Sequence, residues 1–527
     1  MKTGHSGITQ NVCEDMITKI LVANRGEIAM RVMRSCKEMS IKTVAVYSEA
    51  DRTSRHVFFA DEAVCIGPAP STESYLNVDK IIDAAKKTKA DAIHPGYGFL
   101  SENANFAKRC KEEGIIFIGA PFEAIESMGD KISARRIMKA AGVPVVPGNE
   151  DPLETYEAAV KTAKEIGLPV MIKATAGGGG KGIRIVRTLD ELENAYNSAI
   201  SEAKASFANG IVYMEKLIEH PHHIEFQVLA DQHGNVVHLF ERECSIQRKH
   251  QKVIEETPSP IMTEEVRKKM GEIAVKAAKA VNYEGAGTIE FMVDDKLNYY
   301  FLEMNTRLQV EHPITEEVLG VDLVKEQINV ANGKPLRFKQ EDLSQRGHAI
   351  ECRICAEDAE NNFTPTPGII KLITEPQGIG VRVDSFCYEG YEIPMYYDAM
   401  ISKLVVWAAN RTYAIERMRR VLYEYKITGV KTNISYLRKI LEVPDFVKGH
   451  YTTSFLEENK QRMENVSLDN VDGDDEEIHT DEDIAAIAAY FDYMVNQDRP
   501  STSTTSDNRQ ISRWKEFGRR NNMRNYD

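Results

Sequence analysis

Residues 300–312, YFLEMNTRLQVEH, set Glu303, Asn305, Arg307, Gln309 and Glu311 at strict period two, with Leu302, Met304, Leu308 and Val310 between them. An extended chain turns alternate side chains to opposite faces, so the spacing predicts one strand carrying all five polar groups on one side. A row of acids, amides and a guanidinium without lysine has the composition of a site rather than of a wetted surface. Upstream, GTIEFMVDDK (287–296) reads as the partner strand, in a β-hairpin turning near Lys296 and Leu297. That register sets Glu290 directly across from Glu303. Carboxylates at such positions sit about 5 Å apart and repel. A divalent cation reverses the sign of the interaction, and oxygen ligands point to Mg²⁺ or Mn²⁺, ions that bridge substrate phosphates. Met292 shares the parity of Glu290; core packing and cleft lining are both open to it.

A second feature suits a phosphate ligand. The strand-like PVMIKA (169–174) leads through TAGGGGKG (175–182) into a second strand-like run, IRIVRT (183–188). GGGGKG fits G-x-G-x-x-G only on paper, because that fingerprint opens a helix and IRIV reads as strand. It is not a Walker A loop either, since Gly182 follows the lysine. What remains is a glycine-rich hairpin whose bare amides can approach an anion closely, against the alternative of a plain surface turn. With the carboxylate pair, it points to nucleotide-dependent phosphoryl transfer.

Toward the N-terminus, residues 17–48 read as strand, helix and strand, the half-unit of a doubly wound sheet. Its loop holds a single glycine, Gly26, so the dinucleotide fingerprint is absent. ADAIHPGYG and GIIFIG add strands up to about residue 119. The 527 residues, 42% apolar and 28% charged, have a globular composition with room for three or four domains. A net charge of −14 argues against binding nucleic acid or an anionic membrane surface. No run approaches the roughly 20 apolar residues of a membrane span. The first residues fit neither a secretory signal nor a transit peptide. The C-x-x-C of Cys352 and Cys355 has no second pair, and His220, His222 and His223 lack a fourth zinc ligand. A cytoplasmic multidomain enzyme is expected. Its end differs in character: 466–483 holds nine acids and no Lys or Arg, 483–495 reads as a helix, and Trp514 among arginines suits a docking anchor.

Seven motifs, in order, carry a family resemblance: KILVANRGEIAMRV, IHPGYGFLSEN, MGDKISAR, MIKATAGGGGKGIRIV, ERECSIQRKHQKVIEETPSP, FLEMNTRLQVEHPITE and GHAIECRICAED. The chain resembles biotin carboxylases, ATP-grasp enzymes, over about residues 17–455. The resemblance implies an α/β fold with a Rossmann-like pre-ATP-grasp domain at 17–128 and a mobile ATP-grasp lid at 129–217. An ATP-grasp catalytic region at 218–340, a C-terminal domain at 341–460 and a spacer, helix and docking tail at 461–527 follow. It implies ATP held by Lys131, Lys173, the loop glycines Gly177, Gly178, Gly179 and Gly180, Glu215, Lys216, Ile218, His223, Gln247 and His250. The metal ligands would be Glu290 and Glu303 with Asn305 beside them. Bicarbonate would attack the γ-phosphoryl of MgATP to give carboxyphosphate, whose carboxyl passes to biotin. Glu311 matches the general base, and Lys252, Arg307, Gln309, Val310 and Arg353 match the bicarbonate and biotin set, with Arg353 stabilising enolate-like biotin. No A-M-K-M-like biotinylation turn is found, so biotin is expected on a separate carboxyl carrier protein. A carboxyltransferase subunit is expected as a further partner, through residues 480–527, and the chain itself as a homodimer.

Overall fold

The computed structural model describes residues 17–149, 152–174, 183–207 and 210–468. The glycine loop 177–180 and the expected spacer, helix and tail, including Trp514, lie outside the described residues.

The first sheet is parallel and five-stranded: β1 (Lys19–Val22), β2 (Lys42–Ser48), β3 (Glu62–Gly67), β4 (Ala92–His94) and β5 (Ile116–Phe117), in the order β3-β2-β1-β4-β5. Helix α1 (Gly26–Glu38) crosses from β1 to β2 and buries Ile28, Ala29, Val32 and Met33. Gly26 opens it at φ +65, a left-handed conformation that glycine adopts without strain. The strand order reverses between β1 and β4, which leaves a crevice at their carboxyl ends. Asn24, just past β1, spans it: its Nδ2 donates to the carbonyls of Pro95 and Tyr97, each at 2.7 Å. The expected doubly wound unit is present, and its switch point faces the cleft described below.

A three-stranded antiparallel sheet follows, β6 (Val170–Ala174), β7 (Ile183–Val186) and β8 (Val212–Lys216), in the order β7-β6-β8. Lys173 pairs with Ile183, so β6 and β7 form the expected hairpin around the glycine loop. Helix α2 (Lys131–Ala140) precedes it, capped by Asp130, which accepts from the Ser133 amide at 2.8 Å.

The largest sheet has eight antiparallel strands: β9 (His222–Ala230), β10 (Val236–Arg248), β11 (Gln251–Thr257), β12 (Gly285–Val293), β13 (Tyr299–Asn305), β14 (His348–Cys355), β15 (Val381–Ser385) and β16 (Met400–Ala408). Their order is β13-β12-β9-β10-β11-β14-β16-β15. The sheet runs on across 340/341, because β11 pairs with β14. Helices α3 (Glu264–Ala280), α4 (His312–Leu319) and α5 (Arg411–Glu424) accompany it, and α5 packs its buried Ala414, Met418 and Val421 into the core formed with β11, β14 and β16. Among the described residues no helix is long and apolar enough to cross a membrane.

The hairpin around Glu290 has the expected register at its centre: Glu290 pairs with Glu303 and Thr288 with Asn305. A bulge then shifts the pairing by one, so that Phe291 meets Phe301. The single long strand expected over 300–312 is corrected. The strand ends at Asn305, residues 306–311 are irregular, and His312 opens α4. Pro313 accounts for the change, because its fixed φ and missing N–H suit the first turn of a helix.

Glu256 on β11 ties this sheet to α5. It accepts from Arg411 Nε at 2.7 Å and Nη2 at 2.9 Å, from His348 Nε2 at 2.5 Å, and from the Tyr451 hydroxyl. Burial opposes its charge, but His348 and Arg411 outweigh burial and hold it at about 2. A carboxylate depressed on folding stabilises the fold above its unfolded value near 4.5, and that contribution is lost as pH falls toward 2. Glu256→Gln is expected to cost about 3 kcal/mol in urea unfolding at neutral pH, with the deficit shrinking in acid.

Candidate active site

Four side chains form a polar row across neighbouring strands. Glu303 on β13 faces Glu290 on β12, Glu290 faces Glu225 on β9, and Glu225 faces Arg242 on β10. Arg242 is fully buried; its Nε donates to Glu225 at 2.5 Å and its Nη1 to Gln227 at 2.7 Å. Lys252, on β11 across from Gln247, reaches into this row. Its Nζ lies 2.6 Å from Glu225, 3.1 Å from Glu290 and 2.6 Å from Glu311. Burial alone would push Lys252 down, but these carboxylates outweigh it and keep the ammonium charged.

Glu311 sits at the N-cap of α4 with its side chain fully buried, turned from the helix toward two cations. Lys252 Nζ donates to its Oε1 at 2.6 Å and Arg353 Nη2 to its Oε2 at 2.9 Å. Burial opposes its charge, yet Lys252, Arg353 and Arg242 hold it well below the usual carboxylate range. Arg353 also donates from Nε to Glu255 at 2.7 Å. Arg307 is fixed by Glu102, whose Oε2 accepts from its Nε at 2.7 Å while Oε1 accepts from the Thr306 amide at 3.0 Å. Its remaining nitrogens reach Gln309 Oε1 at 3.0 Å and Asn305 Oδ1 at 3.2 Å. The loop 306–311 thus brings the expected polar groups together without being a strand. Val310 is pinned through its carbonyl, which accepts from the buried Lys403 at 3.0 Å.

The donors of the expected metal set fit a divalent cation. Glu290 takes bonds from Asn305 at 2.9 Å and Gln309 at 3.4 Å, and faces His223 Nε2 at 2.9 Å. Burial opposes its charge, but Lys252 and His223 outweigh it and keep it ionised. The Glu303 carboxyl is pushed up, first by the charge of Glu290 and then by burial. A carboxyl destabilised by its neighbour's negative charge sits where a cation would restore it.

A cleft of 1880 Å³ collects most of the expected residues. Lys131, Lys173, Ile218, His223, Gln247, His250 and Lys252 line it, with Glu290, Glu303, Asn305, Arg307, Gln309, Val310 and Arg353. Met292 lines it too, in keeping with its parity. Gln247 bonds His223 Nδ1 at 2.7 Å and so orients the ring. His250 and Lys249 make the two-residue β10–β11 turn with positive φ at both, a strained choice for non-glycine residues. The side chains of two residues of the expected ATP set have protein partners. Glu215 turns to Lys173 at 2.7 Å and to Arg135, and the Lys216 ammonium is tied to the carbonyls of Gly167 at 3.0 Å and Leu168 at 2.8 Å. At this segment the cleft is lined by Leu217 and Ile218. Glu102, Arg135, Leu217, Glu225, Arg242 and Glu255 were not expected from the sequence. The alternation in HHIEFQV (222–228), with His223, Glu225 and Gln227 at period two, was the signal for Glu225.

Three family models cover the described body: Biotin carboxylase, N-terminal domain, at residues 16–125; Carbamoyl-phosphate synthase L chain, ATP binding domain, at 130–339; and Biotin carboxylase C-terminal domain at 351–458. Biotin carboxylase 1 of Bacillus subtilis is 57% identical over 443 residues, 84% of this chain and 98% of that protein. The 2-oxoglutarate carboxylase small subunit of Hydrogenobacter thermophilus is 53% identical over 444 residues, 84% of this chain and 94% of that one. The biotin carboxylase domain dimer of the Hydrogenobacter thermophilus 2-oxoglutarate carboxylase, solved with MgADP, ADP and bicarbonate, superposes with a TM-score of 0.81 at 52% identity, covering 86% of this chain and 100% of that one. The chain belongs to the biotin carboxylase family.

Proposed function

We propose that the chain carboxylates biotin with bicarbonate at the expense of ATP, the first half-reaction of a biotin-dependent carboxylase. The observation that carries this reading is Glu311 held between Lys252 and Arg353 beside the Glu290–Glu303 pair. A ligase joining a carboxylate to an amine needs the carboxylate pair but not the Lys252, Glu311 and Arg353 set.

Glu290 and Glu303, with Asn305 beside them, would hold Mg²⁺ or Mn²⁺, which would supply positive charge to the phosphates of ATP. Lys131, Lys173 and the glycine loop 177–180 take up the remaining phosphate charge, and Leu217 and Ile218 receive the base. His223, Gln247 and His250 flank the nucleotide. The Glu215 carboxylate positions Lys173, and the Lys216 ammonium holds the segment through the 167–168 backbone. Bicarbonate is drawn to Lys252 and Arg307, with Gln309 and the Val310 backbone fixing its orientation. As the anion engages these cations, Glu311 loses part of their support and its proton affinity rises. It takes the bicarbonate proton while the oxygen attacks the γ-phosphorus and ADP leaves. The carboxyl of the resulting carboxyphosphate passes to the ureido nitrogen as its C–O bond to the phosphate breaks, the released inorganic phosphate takes the ureido N–H proton, and Arg353, charged at any working pH, stabilises the biotin oxyanion.

Biotin on a separate carrier protein and a distinct carboxyltransferase are the partners of this reading, with the 480–527 segment as the docking element for the carboxyltransferase, a homodimer as the working form and the cytoplasm as its place. One relative named as the small subunit of a carboxylase and another solved as a domain dimer support it. Divisions at 128/129, 217/218 and 460/461 complete it, with 340/341 a boundary in sequence that the eight-stranded sheet spans. ATP hydrolysis by the purified chain is expected to require bicarbonate and to rise with free biotin. Turnover indifferent to both overturns the reading.

A further inference from the structure

Glu351 is a buried carboxyl that the half-reaction leaves unused. It lies on β14 two residues before Arg353, so both side chains leave the same face of the strand. It is fully buried, and neither oxygen has a hydrogen-bond partner among the described residues. Across β11 it faces Glu255, at a position where side chains are about 5 Å apart, and across β16 it faces Val405.

The surrounding cations are committed elsewhere. Arg353 serves Glu255 and Glu311. Lys403, opposite Arg353 on β16, lies 3.2 Å from Glu27 and 3.8 Å from Asp384 and donates to the Val310 carbonyl. On β10, Arg242 is held by Glu225, and on β11, Lys252 by its three carboxylates. From α4, Glu316 pairs with Arg31 and Arg382, while His312 bonds the Gln309 carbonyl. A buried carboxyl with no cation of its own keeps its proton. Burial pushes Glu351 well above the ordinary carboxyl range and Glu255 up to about 7.

We propose that Glu351 is a positioning residue that works as an uncharged acid, leaving the Arg353 guanidinium to Glu255 and Glu311 and so aimed into the cleft. When its proton passes to solvent at alkaline pH, the new carboxylate competes for the same guanidinium and draws it back into the sheet. The inference rests on the assignment of Arg353 to biotin.

The test uses the full chain, Glu351→Gln, and Glu351→Met as a second variant without the carboxyl. Bicarbonate-dependent ATP cleavage is followed with and without free biotin from neutral to alkaline pH. In the wild type, kcat/KM for biotin is expected to fall by up to about tenfold per pH unit beyond the Glu351 ionisation. Both variants are expected to lose that alkaline limb while the KM for MgATP stays the same. Infrared difference spectra at neutral pH, wild type minus variant, are expected to show a neutral-carboxyl band lost in both variants, over and above any band from Glu255, which burial pushes up to about 7. An alkaline limb at the same pH in all three proteins, or difference spectra in which neither substitution removes any neutral-carboxyl band, overturns the role of Glu351. A wild type indifferent to bicarbonate overturns the assigned reaction, and the role with it.

Discussion

Glu311→Gln is expected to lower bicarbonate-dependent ATP cleavage by about 10²- to 10⁴-fold, the usual loss on removing a positioned base, with the KM for MgATP little changed. The amide keeps the shape of the side chain and its place at the start of α4. It cannot accept the bicarbonate proton, and it leaves Lys252 and Arg353, which line the cleft, facing a neutral group. Lys252 still has Glu225 and Glu290, and Arg353 still has Glu255, so the fold is expected to survive. Glu311→Asp keeps the charge but withdraws the carboxylate by one methylene from two cations that now hold it at 2.6 and 2.9 Å. It is expected to recover part of the rate and none of the geometry. Because Lys252 and Arg353 keep Glu311 ionised far below neutrality, the Glu311→Gln deficit should be constant across the neutral range. A rate within a few-fold of wild type would remove Glu311 from the chemistry.

The hairpin that pairs Glu290 with Glu303 could be read from local sequence, because period-two alternation and a turn signal describe two adjacent strands completely. The same alternation misled over 306–311. Polar groups at every second position converge just as well on a loop, and only Pro313 marked where extended structure had to stop. The parallel unit at 17–48 was legible for the same local reason. The partners that fix the site were not. Glu102 reaches Arg307 from a turn between β4 and β5, 205 residues away in sequence, Glu255 meets Glu351 through a pairing of strands nearly 100 residues apart, and Arg242 is matched to Glu225 by register alone. Nothing in one strand's pattern names its neighbour, so a buried ion pair between distant strands leaves only the weak trace of a polar residue at an inward position. Glu215 is a further case: nothing in VYMEKLI names the Lys173 and Arg135 that pair with its carboxylate.

Glu290 and Glu303 face each other symmetrically across one strand pair, yet their substitutions are expected to shift stability in opposite directions. Glu290 is the acceptor on which His223, Lys252, Asn305 and Gln309 converge. Glu290→Gln removes a proposed metal ligand and the counter-charge for a buried ammonium and imidazole, so the metal-free protein should melt lower than wild type. Glu303 is instead pushed up by the charge of Glu290, so its negative charge opposes the metal-free fold. Glu303→Gln relieves that repulsion, and the metal-free protein should melt higher than wild type. Both variants should lose most of the stabilisation that Mg²⁺ or Mn²⁺ gives the wild type, because binding to the native state alone raises stability in proportion to the logarithm of ligand over Kd. Turnover should fall in both, by about two orders of magnitude or more, since a metal at a phosphoryl centre contributes several kcal/mol and each tenfold corresponds to about 1.4 kcal/mol. Thermal melts of the three proteins across a metal titration separate the cases. Equal destabilisation of both variants without metal would mean that the two carboxylates share a purely structural network, and a cation would no longer be needed to explain why they face each other.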